Sequence, residues 1–365
     1  MTNRTYRAEV VGSLLRPPWL LDARHQYQEG SLPVDQFKQI EDRAVDEAIA
    51  LQERCGLDVI TDGEMRRLMF ASQLAEACDG FGTVAENYVD WFDAEGKAHR
   101  VNAPYAVTGK IRRRRQLSAE ELVYLRARAR APMKITLPSP TMYAYNWCPG
   151  VSEAAYPTPQ AYLEEVAGVL RDEVVELVRL GARYIQFDAP EFGMLLNPYQ
   201  QEWFGKKGFE ALKLIDTGID MMNGIMVGMG GVQFALHICR GNRESWHMAS
   251  GSYDFLAKRV FARTTAQVLL LEYDDERSGD FAPLAEVGPD AIVVLGLITT
   301  KTARPESMAD LQSRIHEASR YVPTDRLAIS TQCGFASVSK GNAISEQVQE
   351  AKLRLVAEVA RRVWS

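Results

Sequence analysis

Short apolar runs that break off in polar residues recur along this chain. Between them lie longer stretches in which apolar residues return every three or four positions. The runs are Ala8-Glu9-Val10-Val11, Asp58-Val59-Ile60-Thr61, Lys134-Ile135-Thr136-Leu137, Tyr184-Ile185-Gln186-Phe187, Phe234-Ala235-Leu236-His237-Ile238, Val268-Leu269-Leu270-Leu271, Ala291-Ile292-Val293-Val294-Leu295 and Leu327-Ala328-Ile329-Ser330-Thr331-Gln332. Each has the length and β-branched content of a buried strand. The helical stretches are predicted over residues 35–55, 162–180, 208–226, 253–265, 308–321 and 343–364. Asp35 is placed to cap the first of these and Gly56 to end it, while Thr158-Pro159 introduces the second. Eight strand–helix units predict an α/β chain folded as a (β/α)8 TIM barrel, one domain over residues 1–365. A doubly wound open sheet is the competing arrangement, and it would gather fewer of the polar strand exits around one mouth.

One region departs from the rhythm. Residues 79–115 are rich in aromatic and turn residues, and 101–115 alternates loosely like hairpin strands. It reads as a hairpin-like insertion after the second strand. Arg112-Arg113-Arg114-Arg115 within it reads as a solvated basic edge.

Composition narrows the class. With 46% hydrophobic and 25% charged residues the chain is ordinary for a globular protein, and 365 residues suffice for one large barrel. A formal charge of −6 argues against a nucleic-acid partner. No apolar run reaches the roughly 18–20 residues of a membrane span, and the first residues lack a signal-peptide core. Five scattered cysteines suit reduced thiols and a cytoplasmic setting. A homo-oligomer is compatible with all of this.

The candidate chemistry sits at strand ends. His237 and Cys239 lie two residues apart, hence on one face of a strand, and Glu272 and Cys333 follow two later apolar runs. One His, two Cys and one Glu form a plausible zinc set. Any one of them taken singly reads as a packed or capping side chain. Gly228-Met229-Gly230-Gly231 precedes a strand and is a loop, not a phosphate cradle, and no P-loop or dinucleotide fingerprint is present.

Val11-Gly12-Ser13, Gly56-Leu57-Asp58-Val59-Ile60-Thr61-Asp62-Gly63-Glu64, Tyr184-Ile185-Gln186-Phe187-Asp188-Ala189-Pro190, His237-Ile238-Cys239, Leu271-Glu272 and Gln332-Cys333-Gly334 occur in that order. As an ordered set they resemble the catalytic barrel of cobalamin-independent methionine synthase. Full-length members carry two related barrels and this chain has room for one. It is therefore more similar to the short single-barrel relatives, a group that includes the epoxyalkane:coenzyme M transferases. The resemblance implies that His237, Cys239, Glu272 and Cys333 ligate Zn2+, and that Ser13, Glu64 and Asp188 hold the carboxylate and amino group of homocysteine. Trp147 falls near a position associated with the pterin; packing under the insertion is the alternative. Where the family pattern carries an Asp-Ile-His segment, this chain reads Thr299-Thr300-Lys301. A lysine is a poorer proton donor near neutrality unless its site lowers its pKa.

Three functions follow as expectations. The first is methyl or other alkyl transfer to a zinc-bound thiolate such as homocysteine, with Lys301, Glu64 and Asp188 as catalytic residues. The second is thiol addition to an epoxide, with Arg16, Arg66, Arg67 or Arg240 holding a sulfonate and Lys301 protonating the alkoxide. The third is a metal- or thiol-binding barrel without catalysis. The partners are a small thiol and an alkyl donor, whose identities are open at this stage.

Overall fold

The computed structural model describes residues 4–364. Among the described residues eleven strands are formed: β1 Ala8–Glu9, β2 Cys78–Thr83, β3 Tyr88–Phe92, β4 Ala98–Asn102, β5 Tyr105–Arg113, β6 Ile135–Pro138, β7 Tyr184–Asp188, β8 Gln233–Ile238, β9 Val268–Glu272, β10 Ile292–Ile298 and β11 Leu327–Thr331. Seven of them make one parallel sheet in the order β1-β11-β10-β9-β8-β7-β6. The sheet curls. Single parallel bridges Glu9–Val59 and Ile60–Met133 bring its two ends to either side of residues 59–60.

Alternation along the strands sorts the side chains into two compartments. Val11, Val59, Tyr184, Ala235, Val268, Leu270, Val294 and Ala328 form a small apolar cluster of their own, on the concave face. The intervening residues, such as Phe234, Leu236, Leu269, Leu271, Val293 and Leu295, belong to the larger core shared with the helices. The period of two therefore carries His237 and Cys239 inward with Ala235, Glu272 inward with Leu270, Ser13 with Val11 and Asp188 with Tyr184.

The helices fall close to the predicted stretches: Val34–Cys55, Pro159–Arg179, Ala211–Met226, Met308–Ala318 and Glu346–Trp364. Two details differ. Pro33, not Asp35, stands at the cap of the first; Asp35 lies in its first turn, where a carboxylate complements the helix dipole. The stretch 253–265 forms only a short helix, Asp254–Leu256, followed by a wider turn over Ala257–Phe261.

Between residues 78 and 113 the chain builds two antiparallel pairs. β3 pairs with β4, and β5 reaches back past them to β2. The strands expected to face each other over 101–115 thus turn away from one another, each finding an earlier partner. Three arginines of the run are ion-paired: Arg113 faces Asp172 and Glu173, Arg114 faces Asp79, and Arg115 faces Glu76.

Candidate metal centre and substrate cleft

Where β8 and β11 end, His237, Cys239 and Cys333 converge, with ligand atoms all within 4.8 Å of one another. The two sulfurs are 3.9 Å apart. All three residues are buried. The His237 ring is oriented by a 3.1 Å contact between Nδ1 and the Leu270 carbonyl, which leaves Nε2 buried and without a partner. A buried orphan nitrogen beside two thiols is what a metal would satisfy. The contact with Cys239 holds the Cys333 thiol well below its usual range, and neighbouring His237 adds to this. Cys239 is pushed up by the same pairing and by burial. Burial opposes charge on His237, but Cys333 and Asp188 more than offset it.

Glu272 stands apart from this trio among the described residues. Its Oε2 accepts from the Arg240 backbone N–H at 2.7 Å, and its Oε1 lies 3.5 Å from Lys301 Nζ and 3.4 Å from Arg277. Burial would raise its pKa, yet Lys301, Arg240 and Arg277 draw it down to about 2. It is a fixed carboxylate at the edge of the centre.

The centre forms one wall of a tight cleft of about 40 Å3 that is also lined by Ser13, Glu64, Asp188 and Asn242. Ser13 packs against Gly334, where an added Cβ would sit 2.1 Å from Ser13 Oγ; only glycine permits this approach of the β1 and β11 exits. Glu64 has a left-handed backbone, φ 55°, that turns its side chain inward. Its Oε1 accepts from Thr136 Oγ1 at 2.7 Å and lies 3.3 Å from Arg67, while Oε2 is buried without a partner. Asp188 accepts from Gln186 at 2.6 Å; burial, aided by Glu64, pushes its pKa up to about 7. Two carboxyl groups with spare acceptor capacity share one cleft.

Other expected site residues lie elsewhere. Arg16 donates to the carbonyls of Ala336, Glu64 and Arg67 and clamps loops together beneath the mouth. Arg66 is engaged with Asp42 and Glu41, Arg67 with Glu121 and Thr136, and Arg240 with Gly251 and Ser278. Each arginine takes the ion-pair or capping role. Trp147 is buried in the core against Tyr162, ring centroids 6.1 Å apart, and does not line the cleft. Lys301 is buried next to Glu272. Burial would lower its pKa, but Glu272 and Asp274 raise it, so the condition for an acid role is not met.

Sequence reasoning missed Phe70, Trp91, Met194, Asn242 and Ser337, all of which line the cleft. They come from connecting segments and from the 78–113 region, where no periodic signal marks which face is inward. Asn242, three residues past Cys239, was within reach of a spacing argument.

The description "Cobalamin-independent synthase, Catalytic domain" matches residues 8–361. YxjG of Bacillus subtilis (strain 168), an uncharacterized protein, is 35% identical over 366 residues, covering 98% of this chain and 95% of the relative. YxjH of the same strain is 32% identical over 363 residues, with the same shares covered. The crystal structure of a candidate vitamin-B12-independent methionine synthase from Listeria monocytogenes superposes with a TM-score of 0.74 at 27% identity, covering 100% of this chain and 99% of that one. With this match spanning nearly every element that carries the cleft, the chain belongs to the cobalamin-independent methionine synthase family, through its catalytic domain.

Proposed function

We propose that this protein transfers an alkyl group, in the first instance methyl, to the sulfur of homocysteine or a closely similar amino-acid thiol. The observation that carries this is one cleft in which a His/Cys/Cys trio with an orphan imidazole nitrogen faces Glu64, whose Oε2 has no partner, and Asp188. The curled seven-stranded sheet, with single bridges from residues 59 and 60 to its two ends, supports this reading by carrying both halves of the cleft. The donor set fits zinc: His237, Cys239 and Cys333 would hold it, while Glu272, bound to the Arg240 N–H and beside Lys301 and Arg277, would have to give up those partners to join as a fourth ligand. When bound, zinc supplies the acidity that keeps a substrate thiol deprotonated at neutral pH.

The remaining work belongs to the chain. Glu64 Oε2 and Asp188 accept hydrogen bonds from the substrate ammonium, and Ser13 orients its carboxylate. The electron pair on the substrate sulfur forms the new S–C bond. The bond from that carbon to the donor breaks with its pair going to the leaving atom, which then takes a proton from solvent. Lys301 holds Glu272 in place and stays charged. Thiol addition to an epoxide is the weaker reading: the four arginines available to a sulfonate are committed to carbonyls and carboxylates. Five free cysteines and no helix long and apolar enough to cross a membrane, among the described residues, suit a reducing compartment such as the cytoplasm.

Metal analysis followed by zinc-edge X-ray absorption tests the reading. A new zinc–sulfur scatterer with homocysteine and none with coenzyme M is expected. The reverse pattern would favour epoxide chemistry, and no response to either thiol would remove the proposal.

A further inference from the structure

Behind the wall of the thiol cleft lies a buried relay that ends on Glu64. Thr136 sits on β6 in register with Gln186, two residues before Asp188, so its side chain points to the inner face. Its hydroxyl has two neighbours of opposite kind. Oγ1 accepts from Arg67 Nη1 at 2.8 Å and donates to Glu64 Oε1 at 2.7 Å. A guanidinium can only donate, so Arg67 fills a lone pair of Oγ1 and the single hydroxyl proton is left for the carboxylate.

Arg67 is itself fixed. Its Nε and Nη2 meet the two oxygens of Glu121, on the helix Ala119–Arg128, at 2.9 and 2.6 Å. Nη2 also donates to the Thr136 carbonyl at 2.9 Å. The guanidinium fork is planar, so this bidentate grip sets the direction of Nη1. The closest ion pair of Arg67 is with Glu121, at 2.6 Å against 3.3 Å to Glu64. Arg67 therefore steers Glu64 chiefly through the Thr136 hydroxyl.

The seat of Glu64 is closed from two further sides. Asp62 Oδ1 accepts from the Glu64 backbone N–H at 2.9 Å and holds its left-handed turn. At Gly12 an added Cβ would lie 2.7 Å from Glu64 Oε1 and 3.3 Å from Thr136 Cγ2, so a larger residue would crowd the point where the two meet. One carboxylate oxygen is thus held on the protein side, and Oε2 is left buried without a partner. Thr136 and Arg67 are not among the residues that line the cleft.

We infer, resting on the alkyl-transfer reading above, that Thr136 and Arg67 are positioning residues for substrate selection. Their relay aims Glu64 Oε2 at the ammonium group of the thiol, so that the cleft prefers an amino-acid thiol to the same thiol without its amino group. Both act through Glu64 and neither touches the substrate.

The test is calorimetric binding to the zinc-loaded protein of homocysteine and of 4-mercaptobutyrate, which is homocysteine without the amino group. The unsubstituted protein should bind homocysteine about tenfold or more tighter. Thr136→Val keeps the shape and removes the hydroxyl; it should weaken homocysteine about tenfold and move 4-mercaptobutyrate by less than about twofold. Thr136→Ser restores the hydroxyl and should recover homocysteine affinity to within about threefold. Arg67→Lys keeps the charge but loses the fork, and serves as the second variant; it should lose about threefold or more for homocysteine alone. Equal losses for both thiols, unaltered homocysteine affinity in both Thr136→Val and Arg67→Lys, or no recovery in Thr136→Ser would each overturn the inference. Zinc-edge absorption of the unsubstituted protein separates the two levels. A new sulfur scatterer with homocysteine, together with an unmoved thiol preference in the variants, removes the relay alone; no scatterer removes the alkyl-transfer reading and the relay with it.

Discussion

Both ends of the curled sheet bury polar side chains on the same inner face, and they do so in opposite ways. At the N-terminal end Glu9, Lys134 and Tyr184 form a closed set: Lys134 Nζ lies 2.5 Å from Glu9 Oε2, and the Tyr184 hydroxyl lies 3.3 Å from each Glu9 oxygen. At the C-terminal end, Ser13 and Asp188 each stand four residues, two repeats of the pleat, further along from Glu9 and Tyr184, and the neighbouring groups are left wanting. His237 Nε2, Glu64 Oε2 and Asn242 Oδ1 have no partner. The groups at both ends are buried, so the difference is one of completion. A polar group buried with all its partners is architecture; one buried without them is half of an interaction whose other half is a ligand.

That contrast can be broken from either side. The largest effect is expected at the open end: Cys239→Ser or Cys333→Ser should lower zinc affinity by at least about 100-fold and abolish alkyl transfer, since a ligand outweighs its supporting shell. Full metal content by atomic absorption, with full activity, would show that the trio is not the centre. At the closed end, Lys134→Met strands the Glu9 carboxylate, and a loss of about 3–5 kcal/mol in unfolding free energy is expected. Thermal or denaturant melts check this, and the zinc stoichiometry should not move. An altered zinc site with unchanged stability would invert the comparison.

Glu64→Gln sits next in size. It removes a charged acceptor from the cleft and should raise the KM for homocysteine about 10- to 100-fold while zinc is retained. Steady-state kinetics with homocysteine, alongside a thiol lacking the amino group, checks it; an equal change for both thiols would place Glu64 outside substrate recognition.

Glu191 gives the smallest and most graded case. Its Oε1 accepts from Ser139 and from Thr141 (2.7 Å), yet Oε2 has no partner, and burial pushes its pKa from 4.5 up to about 7. The native state therefore holds a proton that the unfolded chain releases between these values. Stability should fall as pH rises through that window, by about 1–3 kcal/mol in all. Glu191→Gln should flatten the slope in melts taken from pH 4.5 to 8, and an unchanged slope would assign the pH dependence to other groups.

The sequence by itself determined seven of the eight expected sheet strands, most of the helices and the convergence of His237, Cys239 and Cys333. Those depend on local periodicity: i and i+2 share a face, so His237 and Cys239 were bound to point together, and the exit of a buried run is where Cys333 had to lie. The run Asp58-Val59-Ile60-Thr61 joins the sheet through single bridges only, and Glu272, expected in the same set, stands apart from the trio. Ser13, Glu64 and Asp188 were named through an ordered family pattern and do line one cleft. The tertiary structure decided what local patterns cannot encode. Arg16 and Trp147 became brace and core because their nearest partners, the Ala336 carbonyl and Tyr162, lie far away in the sequence or across a loop. Lys301 met Glu272 and stayed charged. Trp91 reached the cleft from the 78–113 region, whose facing side is undefined until its strands have paired. Which buried groups are satisfied is a property of distances between strands, and those distances exist only once the sheet has assembled and curled.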